Sequence, residues 1–196
     1  MPSTGAPIDE TWEFNGTAWQ QVNTAQPSSR ARFTMVYDEA RQAIVTFGGT
    51  APGNVAVDET WSYGAFVAAL GTGGAGSNGV PVLAATSVPR LGGAFATSLG
   101  NLATGAQLAA VAAGLFAANP PTPLDGFGLP GCILWTNLDA MVFLPVVGGV
   151  MTASIGVPNS ASLFGVTVCE QGLSLDPGAN AAGLIVSNAI QATLGW

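Results

Sequence analysis

Short apolar segments separated by turn-forming residues run along the whole chain. In the first third they alternate with polar residues, as strands with one buried face do, and they predict strands at residues 11–14, 17–22, 33–37, 43–47 and 57–63. Later segments of strand length lie between Gly and Pro clusters, at residues 82–88, 93–98, 106–117, 132–136, 140–146, 151–157, 162–169 and 184–193. The whole chain is therefore predicted to be all-β, and the later strands predict an antiparallel β-sandwich or jelly roll.

A change of composition divides the chain into three parts. Residues 1–64 carry charges and tryptophans, residues 65–77 form a Gly-rich seam, and residues 78–196 are almost uncharged. We expect one β architecture to end at the seam and a second one to follow it. Ala106–Ala118 is ambiguous, since its alanines favour a helix while the neighbouring segments favour strands, and we predict a strand.

An internal repeat marks the first part. Asp9–Trp12 recurs as Asp58–Trp61, with an offset of 49 residues (58 minus 9). A period near 50 residues is typical of kelch-type propeller blades. The residues that fit the kelch pattern are Trp19, Pro27, Arg30, Val36–Asp38, Phe47–Gly49 and Asp58–Trp61. On these residues the segment 8–63 resembles a kelch repeat.

The resemblance implies a partial propeller, with one blade preceded by the outer hairpin of another. A blade buries its faces only against neighbours, so this segment must pack on another part of the chain or on another copy. The candidate core and assembly residues are Trp12, Trp19, Phe33, Phe47 and Trp61. We expect Trp12 and Trp61 to occupy equivalent, mostly buried positions. The adjacent acids of the repeat, at residues 9–10 and 58–59, are more simply interpreted as partners of Arg30 or Arg32 than as metal ligands.

The rest of the chain carries a second resemblance. The matching residues are Gly71–Gly74, Pro89–Gly93, Gly131–Cys132, Ile155–Asn159, Leu175–Asn180 and Ser187–Asn188. On these, residues 66–196 resemble a C-terminal β domain that ends large secreted proteins of planctomycetes and related bacteria. The resemblance implies a surface, sorting or assembly role, and no activity. Members of that family often have a Cys at the position of Gly74. In those relatives this Cys is a candidate disulfide partner for the Cys that matches Cys132.

Composition narrows the chemistry. Only 8% of residues are charged, there is no His or Lys, and the net charge is −7. The net negative charge argues against a nucleic-acid partner, because phosphate binding needs clustered Lys and Arg. A Ser-His-Asp triad and a His-ligated metal are impossible. Asp176–Asn180 fits a capped turn better than a Ca²⁺ site. We therefore expect no enzyme activity, no cofactor and no metal.

Two cysteines, Cys132 and Cys169, allow one disulfide, and two buried thiols are the alternative. We predict the disulfide and an extracellular or cell-surface location. No apolar run reaches the roughly 18 residues of a membrane span. The expected function is a structural protein that assembles with copies of itself, a filament being one such form. The alternative is an adhesin module that binds a protein or a polysaccharide.

Overall fold

The computed structural model describes residues 8–14, 17–22, 27–39 and 43–195. These residues contain no α-helix and only two short 3₁₀ turns, at Asp125–Phe127 and Ala161–Leu163. The predicted all-β class is confirmed. The strands are β1 (Thr11–Phe14), β2 (Trp19–Val22), β3 (Thr34–Asp38), β4 (Ala43–Phe47), β5 (Thr50–Ala51), β6 (Val55–Ala56), β7 (Thr60–Tyr63), β8 (Phe66–Leu70), β9 (Val82–Ala85), β10 (Ala94–Gly100), β11 (Leu108–Gly114), β12 (Ala117–Pro123), β13 (Ile133–Thr136), β14 (Ala140–Val147), β15 (Val150–Gly156), β16 (Thr167–Leu175) and β17 (Leu184–Thr193).

Eight strands form one antiparallel sheet in the order β8-β17-β16-β11-β14-β15-β10-β9. The sheet folds over at the β14–β15 hairpin. The two turn residues, Gly148 and Gly149, have φ values of 62° and 80°, which glycine adopts at no steric cost. The result is two facing layers, β8-β17-β16-β11-β14 and β15-β10-β9, which together form a nearly closed, sandwich-like barrel.

The core lies between these two layers. Strand β10 shows why, since Phe95, Thr97 and Leu99 alternate with more exposed neighbours and are buried. The cluster draws its buried side chains from both layers: Leu83, Leu91, Phe95, Leu99, Leu102, Ala109, Val111, Met151, Val157, Ile190, Ala192 and Leu194.

The Asn188 side chain links β17, the neighbour of the edge strand β8, to the opposite edge strand β9. Asn188 of β17 accepts a hydrogen bond from the Leu83 backbone N–H of β9 at 2.9 Å, through its Oδ1. Its Nδ2 donates to the Leu83 carbonyl at 3.0 Å. The amide thus makes the two bonds that a neighbouring strand would make, and it joins β17 to β9 across the barrel.

The pair β12–β13 covers the outer face of β16 and β17. Gln171 of β16, which is fully buried, accepts the Trp135 backbone N–H at 2.9 Å and donates to the carbonyls of Ile133 and Ser187, each at 2.8 Å. A small apolar cluster of Leu129, Cys132 and Val186 packs beside this junction. One amide therefore fastens the extra layer to the barrel.

The N-terminal part contains the hairpin β1–β2, the three-stranded sheet β3-β4-β7 and the small pair β5–β6. Strand β4 pairs with β3 from Ala43 to Phe47 and with β7 from Ile44 to Phe47. A ring contact between Tyr63 and Phe164, with centroids 4.7 Å apart, joins this sheet to the barrel.

Several strands depart from the sequence prediction. The seam holds β8, which pairs with β17, and the expected break after Ala117 is instead β12, although it contains Pro120 and Pro121. Strand β12 tolerates proline because it pairs on one side only and its register is irregular. The strand expected at residues 162–169 lies at Thr167–Leu175. Ala106–Ala118 is a strand, as predicted, over Leu108–Gly114.

No helix among the described residues is long and apolar enough to cross a membrane.

Candidate functional site

The two copies of the repeated tetrapeptide share one side-chain contact, but they pair with different strands. Strand β1 begins at Thr11 and β7 at Thr60, again 49 residues apart (60 minus 11). In the first copy the Trp12 indole N–H donates to Glu10 Oε2 at 2.9 Å, and in the second Trp61 donates to Glu59 Oε2 at 3.1 Å. The contact from Trp to the preceding Glu is therefore common to both copies, whereas β1 pairs with β2 and β7 pairs with β4.

Large apolar side chains of the N-terminal sheets are exposed. The candidate assembly residues have exposed fractions of 48% at Trp12, 64% at Trp19, 40% at Phe33 and 55% at Phe47, whereas Trp61 is half-buried. Other exposed members of this surface are Phe14, Met35, Val36 and Tyr37. We call the whole set the blade surface. The prediction that Trp12 is mostly buried is wrong for the single chain, because the described residues provide no layer that covers it.

The blade surface ends at a strand edge. In the first copy β1 pairs with β2, with Phe14 opposite Trp19. Adding 49 places the equivalent of β2 at residues 68–71, most of which belong to β8. Strand β8 pairs with β17 of the barrel instead, with Leu70 opposite Ala189. The described three-stranded sheet therefore ends at β7, where the first copy continues into β2.

Arg30 holds this sheet together from a buried position. Its Nη2 lies 2.5 Å from Glu59 Oε2, and its Nη1 donates to the Gly48 carbonyl at 3.2 Å. The hydrogen bond from Arg30, then that from Trp61, lowers the pKa of Glu59. The expected pairing of a repeat acid with Arg30 is confirmed for Glu59, and no group of potential metal ligands occurs in the described part of the chain.

The predicted disulfide between Cys132 and Cys169 is not formed in this structure, where both thiols are free and buried. Their surroundings differ. Cys169 Sγ lies 3.7 Å from the Trp135 carbonyl oxygen, and burial raises the pKa of its thiol. Cys132 Sγ instead occupies the space beside Gly74, only 2.2 Å from where a Cβ on that glycine would stand.

The remaining acids have structural surroundings. Asp176 accepts the Ser77 backbone N–H at 2.7 Å, the Ser77 hydroxyl at 2.9 Å and the Gly178 N–H at 3.2 Å. Burial raises the pKa of Asp176, but these hydrogen bonds outweigh burial and the net pKa is lowered. Asp125 and Asp139 likewise accept backbone N–H groups, of Gly131 and Leu115, both at 3.0 Å. The favoured interpretation of Asp176 as the cap of a turn fits this geometry.

Glu170 is the one acid placed differently among those described in the barrel. It lies in β16, is 4% exposed, and its Oε2 has no hydrogen-bond partner in the described residues. Burial raises its pKa, and interaction with the Thr97 side chain lowers it to a smaller extent.

The Gly-rich seam serves packing. A Cβ at Gly73 would lie 2.8 Å from the carbonyl oxygens of both Pro81 and Val186, so only glycine allows this approach. The Gly74 N–H donates to the Val186 carbonyl at 2.9 Å. The seam is therefore a close backbone contact with β17, and the superficial likeness to a phosphate-binding loop has a structural explanation.

The residues that sequence reasoning missed are the buried amides Gln171 and Asn188. Their partners lie 36 to 38 residues away for β13 and 105 residues away for β9. The only signal in the sequence is a polar residue inside an apolar strand. Comparison with protein-family models, curated proteins and solved structures finds no match to this chain.

Proposed function

We propose that the chain is an extracellular structural protein that assembles with copies of itself through the blade surface. The observation that carries the proposal is the exposure of large apolar side chains on the β1–β2 hairpin and on the sheet β3-β4-β7, which ends at β7 because the segment equivalent to β2 pairs with β17. Exposed groups of large apolar side chains mark interaction sites. Repeat units of this kind gain their stability from stacked neighbours.

The gain from covering the surface is substantial. Full burial of one large apolar side chain contributes about 1.5–3 kcal/mol. Five such side chains that are about half exposed would together contribute on the order of 4–7 kcal/mol. That is comparable with the stability of a whole domain, roughly 5–15 kcal/mol.

Sedimentation velocity of single variants tests the proposal. Trp19→Ser and Phe47→Ser each remove an exposed side chain, so the fold should tolerate them. The matched control is Phe127→Ser, which removes an aromatic ring that is 72% exposed in the barrel part. We expect large species for the unmodified chain and the control, and smaller ones for both blade variants. Identical sedimentation of all four proteins would contradict the proposal.

One observation favours a second candidate, an adhesin that binds polysaccharide. Trp12 and Trp19 present exposed indoles, which can stack on sugar rings as aromatic side chains do on other flat partners. This candidate predicts a monomer whose tryptophan fluorescence changes on titration with oligosaccharides, and no change for Trp19→Ser. A fluorescence response that Trp19→Ser leaves unaltered would contradict it.

A further inference from the structure

Strand β14 has an edge that its own sheet does not use. On one side it pairs with β11 from Ala140 to Pro145. On the other side it pairs with β15 only at Val146 and Val147. Strand β15 then continues along β10 in the other layer, with Met151 to Gly156 paired there. Residues 140–145 are therefore open on one side within the described sheet.

Pro145 explains why the pairing stops. The hairpin closes with Val147 opposite Val150, and in an antiparallel ladder hydrogen-bonded pairs recur every second residue. The next such pair would join Pro145 to Thr152. Proline has no N–H to donate, so β14 and β15 separate at this position.

The groups that face the open side follow from the same alternation. The Val146 N–H donates to the Gln107 carbonyl at 3.0 Å, so the even-numbered residues of β14 bond towards β11. The backbone N–H groups of Met141 and Phe143 therefore face outward, together with their carbonyls. Their side chains are 40% and 62% exposed, and Val142 between them is 52% exposed. The edge thus combines free backbone groups with apolar side chains.

This edge carries no charged residue that would keep another strand away, and its one proline, Pro145, lies at its end. Natural sheets place charged residues on open edges to prevent pairing. Residues 140–169 contain no Asp, Glu, Lys or Arg. A second copy of the same edge can approach it without repulsion between like charges, and each copy offers the donors and acceptors that the other needs.

We infer that two copies of this chain pair antiparallel through β14, about a two-fold axis at Val142. The open edge runs from Asp139, whose N–H already bonds to the Ala113 carbonyl, to Pro145, beyond which β15 occupies the side of the strand. Its midpoint is residue 142, from (139 + 145)/2. A register centred one residue later would push the second strand against β15.

In this register Met141 of each copy lies opposite Phe143 of the other. The two reciprocal pairs make four hydrogen bonds and use every outward N–H of the edge. The contact is isologous, the commonest symmetry of protein dimers. It is also smaller than a standard interface of about 800 Å² per partner, so we expect weak association. It uses a different surface from the blade and does not depend on the blade surface being an interface.

Cysteine cross-linking tests the register. Across a non-hydrogen-bonded antiparallel pair the Cα atoms are about 4.5 Å apart, within the roughly 4.4–6.8 Å of disulfides. Val142→Cys should therefore give a covalent dimer when oxidised glutathione accepts the two electrons. Ala140→Cys is the matched control on the same exposed edge. Its two copies would stand four residues apart along the strands, about 14 Å, and should not cross-link.

The Trp19→Ser background separates this inference from the proposed function, since the cross-link should form there as well. Non-reducing electrophoresis detects the covalent dimer, and mass spectrometry detects glutathione attached to unpaired thiols. We expect dimer for Val142→Cys and only the glutathione adduct for Ala140→Cys. Glutathione adduct without dimer for Val142→Cys, or equal dimer from both variants, would overturn the inference.

Discussion

Removing the amide that closes the barrel should destabilise the protein strongly. Asn188→Ala leaves both the N–H and the carbonyl of Leu83 without their partner, and Leu83 is 1% exposed. A buried polar group left unsatisfied costs about 1–3 kcal/mol, so the two groups together cost about 2–6 kcal/mol. For a chain of this size each kcal/mol lowers Tm by roughly 2–4 °C.

Chemical and thermal unfolding, followed by circular dichroism, measure this loss. The control is Asn78→Ala, which removes one hydrogen bond, 3.1 Å long, from an exposed Asn to the Leu102 carbonyl. That bond is replaceable by water and should contribute about 1 kcal/mol or less. If Asn188→Ala destabilises no more than Asn78→Ala, the Asn188 side chain does not close the barrel and the reasoning is refuted.

Three further predictions concern other parts of the molecule. Burial raises the pKa of Glu170 above its ordinary value of 4.5, so the folded protein loses stability as the pH rises from 4.5 to the raised pKa. Glu170→Gln should remove this loss. In urea unfolding, the variant should therefore be stabilised more at pH 7 than at pH 4. With oxidised glutathione as the oxidant, Gly74→Cys should form a disulfide with Cys132, because the Cβ it adds would lie 3.6 Å from Cys132 Cβ, a spacing typical of disulfides; three alkylatable thiols in the unfolded variant, in place of Cys169 alone, would contradict this. Arg30→Ala should speed hydrogen exchange in β4 and leave β16 unchanged, since the lost bonds to Gly48 and Glu59 lie in the small sheet; equal acceleration in both strands would contradict it.

Much of the fold could be predicted from local signals in the sequence. Strand β17 was predicted with its observed bounds, since its apolar run is bounded by a Pro-Gly turn and the chain end. The repeat predicted equivalent positions for Trp12 and Trp61, and the two residues do make the same contact to a Glu two residues before them. Strand β12 was not predicted, because Pro120 and Pro121 normally mark a break between strands. The two prolines are tolerated here because β12 pairs with another strand on one side only.

Contacts between residues far apart in the sequence could not be predicted from local patterns. Nothing near Asn188 in the sequence indicates that it bonds to Leu83, and nothing near Phe66–Leu70 indicates that this segment joins β17. The open edge at residues 140–145 is of the same kind. A proline in an apolar strand is visible in the sequence, but the consequence of Pro145 depends on which strands flank it.

Negative-stain electron microscopy of the purified, unmodified chain tests the central claim most directly. The claim is that the exposed blade surface is covered by further copies of the chain. It predicts large, regular assemblies at micromolar concentration that disappear in the Trp19→Ser variant. A uniform field of compact single molecules, with the same appearance for both proteins, would contradict self-assembly through this surface.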